Sequence, residues 1–415
     1  MRTNTLQQNI PSGWKVLPIG KHIKLQGGNA FSASNYVSGG IPLVRIGNVG
    51  KGDFVASNFV YISEDEHDSN ESVHLRENDI LMGMTGELGK VARIGKQHLP
   101  AILNQRVGRV VFKDKDLNPD YTFQIFLSKD FKSKLEKYFI GAAQKNISSS
   151  QVESIEVLLP PIKEQQKIAE ILGTVDEDIA KTQEVIKATE KLKRGLVQQL
   201  FTRGIGHTKF KETKIGQIPE EWDVVSLGDV TEFIDYRGKT PQKTKSGIPL
   251  ITAKNVRQGY ISIEPREYIA ESDYDGWMTR GIPKIGDVLF TTEAPLGYVA
   301  QIDTEQKIAL AQRIITIQSN VFDHTYLKYM LMSPVIYGEI QAHGTGGTVK
   351  GIKASTLRKI EVFKPSKTEQ KEIAQILSAV DEKILVNKKL KEKLTFLKKG
   401  LMQDLLSGKV RTIIN

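Results

Sequence analysis

The chemistry most visible in this chain of 415 residues lies in where its basic side chains sit. The first 52 residues carry six Lys or Arg and no acid. Residues 236–263 repeat the feature with Arg237, Lys239, Lys243, Lys245, Lys254 and Arg257, again without an acid. A carboxylate nearby cancels the field that a phosphate feels, so acid-free basic stretches favour a polyanionic partner. The formal net charge of +10 points the same way.

Other residue patterns invite catalysis and fail on their context. Asn118–Tyr121 (NPDY) has the outline of an Asn-Pro-Pro-Tyr methyl-transfer loop. It lacks the second proline, and no glycine-rich strand-to-helix turn precedes it to hold a methyl donor. The run HGTGGT from His343 resembles a phosphate loop, yet it follows a helical pattern and lacks the Lys-Ser/Thr that would complete one. Asp287 with Glu305 and Lys307 has loose nuclease spacing that the first half of the chain does not repeat. No G-x-S-x-G occurs. With no cysteine, disulfides, thiolate metal sites and cysteine nucleophiles are excluded. The seven histidines include no pair at the i, i+4 spacing of a zinc helix. No apolar run approaches the ~18 residues of a membrane span. The expectation is a cytoplasmic, metal-free protein that makes no membrane contact and has no catalytic residues of its own.

The elements that must carry the basic stretches occur twice. PPIKEQQKIAEILGTVDE (160–177) returns as PSKTEQKEIAQILSAVDE (365–382), identical at ten of eighteen positions. WKVLPIGK at Trp14 answers to WDVVSLGD at Trp222, GIPLVRIGNV (40–49) to GIPLITAKNV (247–256), and NQR (104–106) to AQR (311–313). The offset stays between 205 and 208, so the chain is a domain duplication. Within each copy, short β patterns broken by Gly, Pro and Asn precede a helical patch, which predicts a compact α+β domain. A long helix follows each. The expected organisation is a globular domain over 1–159, a helix over 160–204, a second globular domain over 205–364, and a second helix with its tail over 365–415.

The long helices carry heptad-like stripes. In the first, Ile168, Leu172, Val175, Ile179, Thr182, Ile186 and Thr189 alternate at spacings of four and three before the stripe steps to Leu192, Leu196 and Leu200. In the second, Ile373, Leu377, Val380, Ile384, Asn387, Leu390, Leu394, Leu397, Leu401 and Leu405 follow the same register. Forty helical residues span ~60 Å, longer than a small domain is wide, so each helix needs a partner of its own length. The stripes therefore predict one antiparallel coiled coil about a pseudo-twofold axis, with Thr182 and Asn387 as polar register positions. Pro160–Pro161 begin the first helix, and Ser366 with Glu369 makes a capping box for the second.

Two globular domains alternating with two like helices is a recognisable layout. Each helix opens on Pro-Pro-x-x-Glu-Gln-x-x-Ile-Ala, with Ser366 replacing the second proline in the later copy. Each closes on Leu-Lys-Arg/Lys-Gly-Leu-x-Gln-x-Leu, at 192–200 and 397–405. The chain resembles the specificity subunit of type I restriction–modification systems over about residues 12–411. The resemblance implies a non-catalytic reader of double-stranded DNA whose two target recognition domains each bind one half of an asymmetric, split site. It implies that the helices act as a ruler and a dock for two methyltransferase subunits, with restriction/translocase subunits joining them. S-adenosylmethionine, ATP and magnesium would then belong to those partners, and this chain would hold no cofactor. A specificity-like DNA-binding protein acting outside a type I system is the alternative.

Candidate DNA-contacting residues follow from the basic, loop-rich segments. In the first domain they are Lys24, Asn29, Asn35, Arg45 and Lys51, with Gln144, Lys145 and Asn146 after the helical patch. In the second they are Tyr236, Arg237, Lys239, Lys243, Lys245, Lys254 and Arg257, with Lys350 and Lys353. Gln105-Arg106 and Gln312-Arg313 recur at matching positions and read as scaffold common to both domains.

Overall fold

The computed structural model describes residues 10–412 apart from 88, 140–145, 237 and 239. Gln144, Lys145, Arg237 and Lys239 therefore lie outside the described residues. The chain forms two compact units. The first takes the described residues up to Thr182 together with those from Leu390 onward, and the second takes Gln183–Lys389.

In the first unit β1 (Lys15–Pro18) pairs antiparallel with β9 (Glu156–Leu159). Strands β2 (Ile23–Gly27), β5 (Ile80–Gly83), β6 (Val91–Arg93) and β8 (Val107–Phe112) form one sheet in the order β2-β8-β5-β6. A second sheet has the order β4-β3-β7, from β3 (Ile41–Val44), β4 (Val60–Ile62) and β7 (Ile102–Leu103). Along β2 the side chains of Ile23 and Leu25 are buried while Lys24 is exposed, the period-two pattern of a half-buried strand. Short helix α1 (Glu64–Asp68) follows β4, and α2 (Pro119–Leu127), α3 (Lys129–Glu136) and α4 (Ser149–Glu153) follow β8. The NPDY run is the start of α2. Asn118 Oδ1 accepts from the Tyr121 N–H at 2.9 Å, and Pro119 occupies the first turn, where its missing N–H costs nothing.

Long helix α5 (Ile162–Arg203) leads to the second unit, which repeats the plan. A hairpin of β10 (Phe210–Thr213) and β11 (Gly216–Pro219) precedes β12 (Asp223–Ser226). The four-stranded sheet contains β13 (Glu232–Asp235), and the three-stranded one contains β14 (Ile248–Ile251). Then come hairpin β15–β16 (Val256–Arg257, Tyr260–Ile261), β17 (Tyr268–Ile269), α6 (Tyr274–Trp277), β18 (Val288–Thr291), β19 (Val299–Gln301), β20 (Ala309–Leu310) and β21 (Ile314–Gln318). The sheets run β13-β21-β18-β19 and β17-β14-β20, the same orders as before. The duplication reaches the register: Leu43 and Val44 lie parallel to Ile102 and Leu103, as Leu250 and Ile251 do to Ala309 and Leu310. Helices α7 (His324–Met332), α8 (Pro334–Ala342) and α9 (Ala354–Leu357) lead to β22 (Glu361–Lys364), which pairs with β12, and to α10 (Lys367–Leu406).

Each unit contains one stretch of each long helix, and within each the two run antiparallel. In the first, Ile168, Leu172 and Leu405 share a core with Trp14, Tyr121 and Phe126, and Lys398 Nζ is 2.5 Å from Asp176 Oδ1. In the second, Leu200, Phe201, Ile373 and Leu377 share a core with Trp222 and Tyr326, and Lys193 Nζ is 2.6 Å from Asp381 Oδ1. Burying a leucine such as Leu172 or Leu377 contributes about 1.5–3 kcal/mol. The same aspartates reach back to the globular domains, since Gln124 Nε2 donates to Asp176 and the Tyr329 hydroxyl donates to Asp381.

Thr182 and Asn387, the expected polar register positions, each donate to the carbonyl four residues back, of Asp178 and Lys383 respectively. A short polar side chain on a helix finds that carbonyl first. Leu192, Leu390 and Leu397 of the expected stripe are about half exposed, while Thr189, Leu200 and Leu405 are buried and Leu196 and Leu401 half-buried. Val175 is also buried, and Ile179, Val380 and Leu394 are half-buried. The capping box is half made. The Glu369 N–H donates to Ser366 Oγ, but the Glu369 carboxylate is turned into the core.

That inward turn explains why the helices open alike. Glu164 accepts from the Trp14 indole at 3.0 Å and Glu369 from the Trp222 indole at 2.8 Å. Beside them, Gln165 donates to the Pro160 carbonyl and accepts from the Asn118 N–H; Gln370 does the same with Pro365 and Asp323. One Glu-Gln pair thus locks the helix, the first strand and α2 or α7 together in each unit.

Candidate nucleic-acid interface

Gln312 and Arg313 line a cleft in the second unit. The turn between β20 and β21 lays the Arg313 carbonyl where it accepts from the Thr292 N–H at 3.1 Å. The Thr292 carbonyl accepts in turn from the Ile352 N–H at 2.9 Å. The segment after α8 folds back on itself, with Thr345 and Gly351 exchanging both backbone hydrogen bonds. The HGTGGT run is therefore the bend of this loop, where Gly346 takes φ +122°. Together these segments enclose a cleft of about 450 Å3 lined by Thr292, Glu293, Gln312, Arg313, Thr345 and Lys353, among others. Arg313 Nε lies 2.7 Å from Glu293 Oε1, and both side chains are roughly half exposed.

The first unit has the same backbone frame with different side chains. The Met84 N–H donates to the Arg106 carbonyl at 3.0 Å, and the Met84 carbonyl accepts from the Ile147 N–H at 2.9 Å. Thr85 and Asn146 form the bridge that Glu293 and Gly351 form in the second unit. Arg106 is exposed, and Thr85 holds the position that Glu293 holds beside Arg313.

The expected contact residues are scattered around these frames. Lys24 is exposed on β2. Asn29 Nδ2 donates to Asn70 and Asn35 Nδ2 to Glu66, while Arg45 Nη2 donates to the Asn58 carbonyl. Lys51 Nζ is 2.6 Å from Glu87 Oε1, and this hydrogen bond and charge hold the Glu87 carboxyl below its ordinary pKa. Asn146 is exposed and joins the frame through its backbone. In the second unit Lys243 Nζ is 2.7 Å from Glu267, and Arg257 is half-buried in the β15–β16 hairpin. Lys245, Lys254, Lys350 and Lys353 are exposed and, among the described residues, carry no ion pair. Only Lys353 of these lines the cleft.

Tyr236 is a correction. It is 3% exposed, its hydroxyl donates to the Gly281 carbonyl and accepts from the Arg280 N–H, and its ring stacks on Trp277. Burial pushes its phenol pKa up. It is a core residue, since its polar atom is already satisfied inside the domain.

Sequence reasoning passes over Arg313, Gln312, Glu293 and Thr345. The recurrence of Gln-Arg is visible, but it marks a shared backbone position and leaves the side chain's surroundings unspecified. Asp287 is structural: it is 2% exposed and accepts from the Lys284 N–H and from Gln318 Nε2. Among the described residues, one cluster has metal-ligating chemistry, His22 with Asp114 and Asp116. There His22 Nδ1 lies 2.9 Å from Asp114 and the Asp116 N–H donates to Asp114, which accounts for the group as a hydrogen-bonded turn after β8. Among the described residues no helix is long and apolar enough to cross a membrane.

Comparison with known proteins agrees with this layout. The chain is 29% identical to the type I restriction enzyme MjaVIII specificity subunit of Methanocaldococcus jannaschii, over 97% of this chain and 94% of that protein. It is 22% identical to the EcoBI specificity subunit of Escherichia coli, over 88% of this chain and 79% of that one. Its fold matches the crystal structure of a type I restriction–modification S subunit from M. genitalium with a TM-score of 0.62, at 17% identity, over 97% of this chain and 98% of that one. The family model for the type I restriction modification DNA specificity domain matches twice, at residues 11–190 and 219–395. With both halves of the duplication matched, the chain belongs to the type I restriction–modification DNA specificity family.

Proposed function

We propose that the chain recognises an asymmetric, two-part duplex DNA site, each unit reading one half, and that it holds methyltransferase and restriction subunits on that site. DNA sequence recognition in a type I system is the function of the family, and such subunits are recognition components and not enzymes. The observation that carries the two-part reading is a repeated frame around Arg106 and Arg313 whose neighbouring positions differ: Thr85 and Asn146 in one unit, Glu293 and Gly351 in the other. Like backbones present the reading residues in the same manner, while unlike side chains select different bases. The exposed lysines supply sequence-independent grip on phosphates. S-adenosylmethionine, ATP and magnesium belong to the partner subunits in this reading.

Selection from a random duplex library with the full chain tests it. The expected product is one motif of two unlike half-sites separated by a fixed number of unspecified bases. Salt-sensitive binding without any motif would overturn sequence reading. A motif with no methylation by partner subunits would favour a DNA-binding protein acting outside a type I system.

A further inference from the structure

We infer that Arg313, steered by Glu293, reads a guanine in the major groove of the half-site bound by the second unit. The inference rests on the DNA-reading function proposed above and names the residue and base within it.

Three observations converge on the pair. Arg313 belongs to a turn whose backbone is pinned by the Thr292 hydrogen bond, so the root of its side chain is fixed. Its Nε lies 2.7 Å from Glu293 Oε1, and Glu293 is itself pinned by its backbone bridge to Gly351. The guanidinium borders an open cleft shared with Gln312, Thr345 and Lys353.

A guanidinium has five N–H donors in a rigid fork. With Nε 2.7 Å from Glu293, the two terminal nitrogens remain as parallel donors on a side chain that lines the cleft. That array matches the O6 and N7 acceptors of guanine, whereas adenine offers one acceptor beside a donor. A carboxylate held in advance also removes side-chain freedom that would otherwise be lost on binding.

A phosphate is the competing target, and Glu293 decides against it. The carboxylate cancels the net charge on which phosphate binding depends, yet leaves the direction of the remaining donors intact. An acid beside the arginine suits a neutral base edge. In the first unit Thr85 holds the position of Glu293, so the assignment concerns the second half-site.

The test repeats the library selection with full-length Arg313→Ala, Arg313→Gln and Glu293→Gln, alongside wild type. Both Arg313 substitutions are expected to lower preference for guanine at one position of one half-site by roughly 5- to 150-fold, the range for a bidentate pair. The other half-site should be selected unchanged, which also shows that the variant is folded. Glu293→Gln should weaken preference at that same position by a smaller factor. Uniform weakening of all sequences with a shallower salt dependence would make Arg313 a phosphate-binding residue and overturn the inference. An unchanged motif would overturn it too. If wild type selects no motif, the reading beneath it falls as well, so the two failures are distinguishable.

Discussion

The indole nitrogen of Trp222 donates to Glu369 Oε2 across 2.8 Å, joining residues 147 apart in sequence, and Trp14 makes the same bond to Glu164 across 3.0 Å. The third member of each group differs. Glu164 accepts two hydrogen bonds from Arg411, whereas Glu369 accepts from the Ile205 N–H and lies 3.0 Å from His207 Nε2. The bend that delivers each third member begins at a glycine of positive φ, Gly408 at +71° and Gly204 at +61°. A Cβ on Gly204 would lie 2.9 Å from the Trp222 ring, so only glycine serves there. The segment after each long helix thus closes the unit that its last turn has entered.

Removing one tryptophan should loosen one unit. Trp222 is 1% exposed, so Trp222→Ala is expected to cost about 3–5 kcal/mol. Trp222→Phe keeps most of the volume but removes one of the donors to the buried Glu369 carboxylate, at about 1–3 kcal/mol. Urea unfolding midpoints measure both, and a Phe variant as stable as wild type would show the hydrogen bond to be unimportant.

Acid should weaken the first unit through Glu164. Burial alone would raise its carboxyl, but the hydrogen bonds from Arg411 and Trp14 and the guanidinium charge outweigh burial and hold it below its ordinary value of 4.5. A carboxyl depressed on folding stabilises above its unfolded pKa and loses that contribution as pH falls through the lower folded one. In urea titrations from pH 7 to pH 3, wild type should exceed Glu164→Gln at neutral pH, and the gap should close below about pH 4.5. A gap constant with pH would contradict the assignment.

The clamp in the second unit is a hydrogen-bonded network and should behave as one. Asp381 accepts from the Tyr329 hydroxyl at 2.7 Å and pairs with Lys193. Tyr329→Phe and Asp381→Ala should therefore combine less than additively, with a coupling of about 1 kcal/mol in a double-mutant cycle. Additive losses would place the Tyr329 hydroxyl outside the network.

Salt dependence should follow the lysines that have no acid beside them. Lys245, Lys350 and Lys353 are exposed and unpaired among the described residues, while Lys243 is held by Glu267. Replacing the first three with Ala should reduce the slope of log binding constant against log salt by roughly 0.9 for each phosphate that is no longer neutralised. Lys243→Ala should change it least. Equal effects from all four would mean that Glu267 releases its lysine on binding DNA.

Much of this architecture is legible because duplication and helical periodicity are written directly in residue order. The repeated Glu-Gln is equally visible, but its meaning is not. Residue order shows that the pair recurs but not which way it faces, and its glutamates are turned inward on Trp14 and Trp222, residues ~150 positions away. The stripe misplaces Leu192, because a leucine is apolar whether or not anything covers it. Tyr236 fails for a related reason, since adjacent basic residues say nothing about which way a tyrosine ring faces. Arg313 escapes notice because recurrence reports a common backbone, and only the fold shows Glu293 beside its side chain.

Methylated-base sequencing bears most directly on the central claim. The chain would be expressed with the methyltransferase subunit of its own genome in a host free of DNA methylation. The account predicts adenine methylation at a single split motif with two unlike halves, absent when this chain is omitted. Methylation that persists without the chain, or a motif with two identical halves, would contradict it.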